Sequence, residues 1–425
     1  MLINAASAQQ LSDNFITTDI ANFWNAYDKI SATKDTSEQY KYINTLFIDK
    51  GTPGLKGIMK ARGYTAKSYI DAINNYPKFW NSVRANTLKA NDYAKDIAAN
   101  VLKLKKLYPE LQPANIYFTI GALRTGGTTQ GKMILIGSEI AMADKNTVTT
   151  EFPKDLDHLR PHFDSEPLKI MAFTNVHEYV HTQQKTTLTN GLLPQCVMEG
   201  VAEFVAERAT GKESTLPAKT YGIANFEKVR KKFTEQMFNP GNGFWLYSNA
   251  ANEFGVRDLG YYVGYAICEK YYDKAADKKL AIKQMIELDY NNEGALNNFV
   301  DQSGYFTEPV KTLKDKFEAS RPTVVNIKPF KNGDNNVNPS TKQITIEFST
   351  IMDKSHRNFE LGPLGTSNLL RVKSVIGFSE DGRSLTFEAD LLPTHQYQLV
   401  IGDGFRNSDG VPLKPYLIDF KTSAN

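Results

Sequence analysis

His177-Glu178-Tyr179-Val180-His181 sets two imidazoles four residues apart around a carboxylate. On a helix, positions i and i+4 share one face, so both rings can turn a nitrogen toward a single cation. Glu178 projects beside that face, where it can take a proton from a water activated by the cation. That is the chemistry of metal-assisted hydrolysis. With 6 His among 425 residues, a chance match is expected in well under about 1% of such chains.

Catalytic zinc normally takes three protein ligands and keeps one position open. Met198-Glu199-Gly200-Val201-Ala202-Glu203-Phe204 offers the third. Glu199 follows His181 by eighteen positions, enough for a helix end, a loop and an antiparallel return. Glu203 lies one turn further on the same face. It is either the rival ligand or the carboxylate that accepts the second ring N–H of a ligating histidine. Gly200 removes a side chain next to Glu199, which lets two helices approach closely.

These residues need two helices, and the apolar period supplies them at 167–185 and 195–209, with Asn190-Gly191 and Pro194 between. The same period predicts helices at 257–275, 279–288 and 292–302, and a last one near 308–319 that stops before Arg321-Pro322. Upstream, 12–108 reads as helices, punctuated by breakers such as Gly51-Thr52-Pro53-Gly54. Residues 115–120 and 132–136 read as short strands around a Gly/Thr-rich connection, followed by a loop at 151–165 that carries His158 and His162. Beyond 321, short β-branched runs alternate with turn signals such as Asn332-Gly333, Asp381-Gly382 and Asp409-Gly410, the pattern of an all-β sandwich. The expected class is α+β: a mostly helical domain with a small sheet, then a β domain.

Composition narrows the function. Lys+Arg 50 against Asp+Glu 47 gives a net charge of +3, which offers no electrostatic reason for a nucleic-acid partner. Hydrophobic and charged fractions of 41% and 23% exclude disorder, and no apolar run of about 18 residues is present to span a bilayer. Two cysteines, Cys196 and Cys268, are too few for a disulfide scaffold; their apolar helical settings favour free thiols, with a pairing between them left open. Ala6-Ser7-Ala8 before Gln9-Gln10 reads as the cleavage region of a secretory leader covering 1–10, which predicts export.

The motifs resemble the gluzincin metallopeptidases, whose thermolysin and M1 aminopeptidase branches carry the third zinc ligand on the helix after HExxH. The Asn-Glu-Gly-Phe-Ala pattern of the M1 branch is similar to Glu199-Gly200-Val201-Ala202, which implies Glu199 as ligand. An acidic residue four positions later supports a zinc histidine in the thermolysin branch, a role that implies Glu203. A downstream Tyr-x-x-Gly, whose Tyr stabilises the tetrahedral intermediate, is similar to Tyr261-Tyr262-Val263-Gly264 and implies Tyr261. Tyr261, Tyr262 and Tyr265 share one helix, where a core stripe explains them as well. The Glu199 spacing is one residue shorter than in the aminopeptidase branch. Its Gly-x-Met-Glu-Asn motif does not precede His177, so exo- or endo-cleavage stays open. The resemblance spans about 115–300 and implies that the strand–loop–strand before His177 lines a cleft and pairs with substrate backbone. Thr323–Ile327, Ile344–Ser349, Met352-Asp353 and Ile418–Thr422 resemble bacterial Ig-like domains, which space or attach catalytic domains on exported surface proteins.

The expected organisation is a leader at 1–10, a gluzincin-like metallopeptidase domain at 11–320 with a helical part at 11–110 and a sheet and active-site part at 111–320, and an Ig-like sandwich at 321–425. The expected activity is zinc-dependent hydrolysis of peptide or protein substrates, with cell-surface association through the Ig-like domain. The alternatives are a non-enzymatic surface-attachment protein that keeps a vestigial zinc site, and hydrolysis of a non-peptide amide. Gly121–Thr129 lacks the Gly-Lys-Ser/Thr ending of a phosphate loop. Glu139 is either a surface carboxylate or a contact for a substrate amine.

Overall fold

The computed structural model describes residues 14–185, 191–248 and 250–424. The leader expected at 1–10 and Asn190 lie outside them. The chain forms two compact units: one takes the described residues up to 185, 193–229 and those within 243–307; the other takes 230–242 and 308 onward. The class is α+β, helical first and β-rich at the end. No helix among the described residues is long and apolar enough to cross a membrane.

The first unit opens with helices α1 (Thr18–Ser31), α2 (Thr36–Ile43), α3 (Pro53–Arg62), α4 (Ala66–Asn75), α5 (Pro77–Thr87) and α6 (Ala94–Leu107). Their inward faces bury Phe23, Tyr69 and Trp80, which with Phe47 from the segment between α2 and α3 form one aromatic core. Helix α3 is bounded as its sequence dictates: the Thr52 hydroxyl accepts from the Leu55 N–H, Pro53 occupies the first turn, and Gly63 closes the helix at φ +63°.

A four-stranded sheet follows in the order β1-β2-β4-β3, with β1 (Phe15–Ile16), β2 (Asn115–Thr119), β3 (Gly127–Gln130) and β4 (Met133–Gly137). Strand β3 is antiparallel to β4, whereas β1, β2 and β4 run parallel. The two central strands are apolar on both faces, and each face is covered. A β-carbon at Gly57 of α3 would meet Gln130 and Leu135, which puts α3 on the Gln130 face. Gly127 points to the opposite face, and there the covering helix is α9 (Met171–His181). The Gly/Thr-rich connection of the sequence reading thus contains an edge strand. Short helices α7 (Ser138–Ala141) and α8 (Leu159–Asp164) lie between β4 and α9.

Glu139 on α7 is neither a surface carboxylate nor a cleft residue. It is 0% exposed and accepts the backbone N–H groups of Gly121 (2.8 Å) and Leu123 (3.2 Å), bracing the loop that enters β3. Burial pushes its carboxyl from the usual 4.5 up to about 7, against the pull of those N–H groups. A native value above the unfolded one contributes stability in full below the unfolded value, and that contribution is lost as pH rises through the native value. Between pH 4.5 and 7 the ionisation costs the fold roughly 3 kcal/mol. Glu139→Gln should therefore gain on the wild type across that window in urea unfolding. Parallel pH profiles for the two proteins would refute the assignment.

The remaining helices of this unit are α10 (Leu192–Thr210), α11 (Pro217–Ala224), the start of α12 (Phe226–Gln236), α13 (Leu259–Lys274), α14 (Lys278–Ile286) and α15 (Glu293–Ser303). Cys196 and Cys268, on α10 and α13, are buried and free. At Gly200 and Gly264 the backbones of α10 and α13 meet: a β-carbon on Gly264 would stand 1.7 Å from the Cys196 carbonyl oxygen. Only glycine fits there.

The second unit holds α16 (Val310–Ser320) and seven strands: β5 (Val324–Lys328), β6 (Gln343–Phe348), β7 (Phe359–Glu360), β8 (Ser374–Phe378), β9 (Ser384–Glu388), β10 (Gln396–Ile401) and β11 (Tyr416–Lys421). They form two antiparallel sheets, β5-β6-β9-β8 and β11-β10-β7. Alternation turns Ile344, Ile346 and Phe348 of β6 inward, into one core with Leu399, Ile401, Ile418 and Phe420 of the other sheet.

Candidate metal centre

Helix α9 is apolar on the side that packs inward, with Ala172, Phe173, Val176, Tyr179 and Val180 buried. The Tyr179 hydroxyl accepts the Ala114 N–H at 2.9 Å and ties the helix to the start of β2. This leaves His177 and His181 on the face toward α10, ring centroids 4.8 Å apart and nearly perpendicular. Helix α10 brings Glu199 opposite them. The His177 Nε2, His181 Nε2 and Glu199 Oε2 atoms form a triangle with edges of 3.1, 3.2 and 3.5 Å. Tetrahedral zinc with bonds of about 2.0–2.2 Å requires ligand atoms about 3.3–3.6 Å apart. One edge, 3.5 Å, lies in that range and the other two, 3.1 and 3.2 Å, fall just short of it, so a small outward shift of the rings suits the triangle to zinc.

The outward nitrogens explain why those atoms converge. His177 Nδ1 donates to Glu203 Oε2 at 2.8 Å, and His181 Nδ1 donates to Gln184 Oε1 at 2.6 Å. With a cation in place of the inner proton, these acceptors would keep the Nδ1 proton in each ring and leave both Nε2 lone pairs facing inward. Each acceptor is itself fixed: Glu203 Oε1 accepts from the Ser214 hydroxyl, and the Gln184 amide donates to the Met198 carbonyl and the Tyr290 hydroxyl. Two lone pairs and a carboxylate aimed at one point attract positive charge. Burial disfavours an imidazolium at His177, yet its bonds to Glu199 and Glu203 outweigh burial and hold its pKa well above the usual range. At Glu199 burial is again outweighed: the two imidazoles hold its carboxyl well below the usual range.

Glu178 stands outside the triangle and beside the edge strand, where a β-carbon on Gly127 would lie 3.0 Å from its Oε1. Burial raises its carboxyl above the usual range, opposed by His181 and His177. A raised carboxylate is a better proton acceptor. Tyr261, in the first turn of α13, lays its ring nearly parallel to His177 at 6.3 Å. Burial, then Glu199, raise its phenol well above the usual range, so it remains a donor. Tyr262 packs where Gly222 leaves room, and Tyr265 packs on Phe204. Among the three tyrosines, the ring facing His177 is that of Tyr261.

His158 and His162 stay outside the group that can hold a metal, which among the described residues is His177, His181 and Glu199. Two side chains join the site without a signal in the sequence. Tyr247, at φ +60° in an irregular segment, donates its hydroxyl to Glu199 Oε1 at 2.5 Å. Gln184 lies just past the end of α9, where its position three residues after His181 is the one available clue.

Residues 162–292, which contain His177, Glu178, His181, Gln184, Glu199, Glu203, Tyr247 and Tyr261, match the family described as "Predicted Zn-dependent protease (DUF2268)". No curated protein matches the chain. Among solved structures, CopC from Methylosinus trichosporium OB3b is 22% identical over 24% of this chain and 94% of its own, with a TM-score of 0.20. The S-layer protein rSbsC(31-844) is 13% identical over 99% of this chain and 46% of its own, with a TM-score of 0.19. Both overlaps are too loose to establish a shared fold.

Proposed function

We propose that this protein is a zinc-dependent peptidase of gluzincin type, with His177, His181 and Glu199 as metal ligands and Glu178 as general base. The observation that carries the reading is the 3.1–3.5 Å triangle with a carboxylate beside it that is not part of it. A purely structural site has no need of that carboxylate. Zinc held there supplies a Lewis acid and lowers the pKa of a water toward neutrality. Glu178 takes the proton as the water attacks the scissile carbonyl, then hands it to the leaving amine. Tyr261 donates to the oxyanion as it develops. Glu203 and Gln184 hold the imidazoles in one orientation, and the outer edge of β3 offers backbone partners to an extended peptide.

The proposal extends to the organisation of the chain. A leader at 1–10 directs export, the peptidase domain occupies 11–320, and an Ig-like sandwich at 321–425 spaces or attaches it at the cell surface. Two antiparallel sheets around a common core support the sandwich, and Ala6-Ser7-Ala8 supports export.

Metal analysis tests the reading directly. The purified protein should carry about one zinc per chain, and His177→Ala or His181→Ala should remove most of it, since three ligands are the minimum for a tight catalytic site. Peptide hydrolysis should stop with a chelator and return with zinc. Full zinc content in both variants would end the hypothesis.

A further inference from the structure

Arg62 closes α3 and, from the helical N-terminal part, reaches the loop that enters β3. One of its terminal nitrogens donates to the Thr125 hydroxyl at 3.3 Å, and Thr125 donates in turn to the Gly127 carbonyl at 2.6 Å. Gly127 is the β3 residue whose missing side chain makes room for Glu178. Thr125 is the one side-chain partner of Arg62 among the described residues, and the arginine Nε is buried with no hydrogen-bond partner. A buried N–H left unmade is costly, and a guanidinium that meets only a neutral hydroxyl keeps most of its five donors for another group.

The chemistry that satisfies such a fork is a carboxylate, bound by two parallel N–H donors. Glu178 and Glu199 bring two carboxylates to this site, so a fixed positive charge beside them favours an anionic group of the substrate at that end. We propose that Arg62 is a specificity residue of this site and holds a substrate carboxylate at the Gly127 end of β3. The favoured substrates are then peptides with a carboxylate near the scissile bond, either the α-carboxylate of a chain end or an Asp or Glu side chain. This rests on the peptidase reading above, whose failure is separable.

The test uses zinc-loaded full-length protein and matched peptides: free acid against C-terminal amide, and internal Asp or Glu against Asn or Gln. The wild type should favour the acid member of one pair by at least about tenfold in kcat/KM, as a charge-assisted hydrogen bond implies. The pair that shows the preference identifies the source of the carboxylate. Arg62→Met should bring the acid-to-neutral ratio close to one, with Arg62→Lys in between. Calorimetric binding of the same peptides to Glu178→Gln protein reads the contact without turnover, and Arg62→Met in that background should erase the difference. A wild type without acid preference in rate or binding overturns the proposal. So does an unchanged ratio in Arg62→Met, which would leave Arg62 as a brace for Thr125. Absence of chelator-sensitive cleavage, with the binding preference intact, would instead remove the peptidase reading alone.

Discussion

Zinc-replete Glu178→Gln protein should hydrolyse the best peptide substrate about 10²–10⁴-fold more slowly than the wild type, with fold and metal content retained. The substitution keeps the shape of the side chain and removes its ability to accept a proton. Glu178 is not one of the three converging atoms, and its Oε1 lies toward Gly127. Zinc content should therefore stay near one per chain. The comparison also separates an enzyme from a surface-attachment protein, because the latter has no chelator-sensitive hydrolysis to lose. Equal rates for the two zinc-loaded proteins would defeat the mechanism even with the metal site intact.

Glu199→Ala should nearly abolish zinc binding, whereas Glu203→Ala should weaken affinity or activity by roughly 10–100-fold. The order follows from which atoms converge. Glu199 Oε2 lies 3.2 Å from His181 Nε2 and 3.5 Å from His177 Nε2, inside the triangle. Glu203 reaches only the far nitrogen of His177, at 2.8 Å, so its loss frees the ring to turn without deleting a ligand. Titration with a competing chelator measures both constants. The reverse order would make Glu203 the ligand.

The helix period was enough to bring His177 and His181 to one face with Glu178 beside it, because that relation is local and repeats every turn. Glu199 and Glu203 were legible for the same reason once a second helix was expected. The C-terminal strands were also legible, since residues 343–348 alternate cleanly and 396–401 form a mostly apolar run between turns. Tyr247, Gln184 and Arg62 were not. Tyr247 sits in an irregular segment, and Arg62 lies more than a hundred residues before the helix it faces; contacts of this kind depend on tertiary packing, which leaves no period in the sequence. Strand β3 has four residues, too few to show alternation, and is held by its pairing with β4. Glu139 misleads for a related reason: a carboxylate among turn residues looks solvent-exposed, and only the fold supplies the two N–H groups that pay for its burial.

The glycine crossing of α10 and α13 gives the site a rigid seam. Because Gly200 and Gly264 touch backbone to backbone, neither helix can slide or roll past the other without collision. Glu199 adjoins one glycine and Tyr261 lies one turn before the other, so the carboxylate and the phenol travel as a single body. Helix α9 is tied to that body in turn, because His177 bonds Glu203 and Gln184 bonds the Met198 carbonyl of α10, so the three converging atoms keep their spacing from one seam.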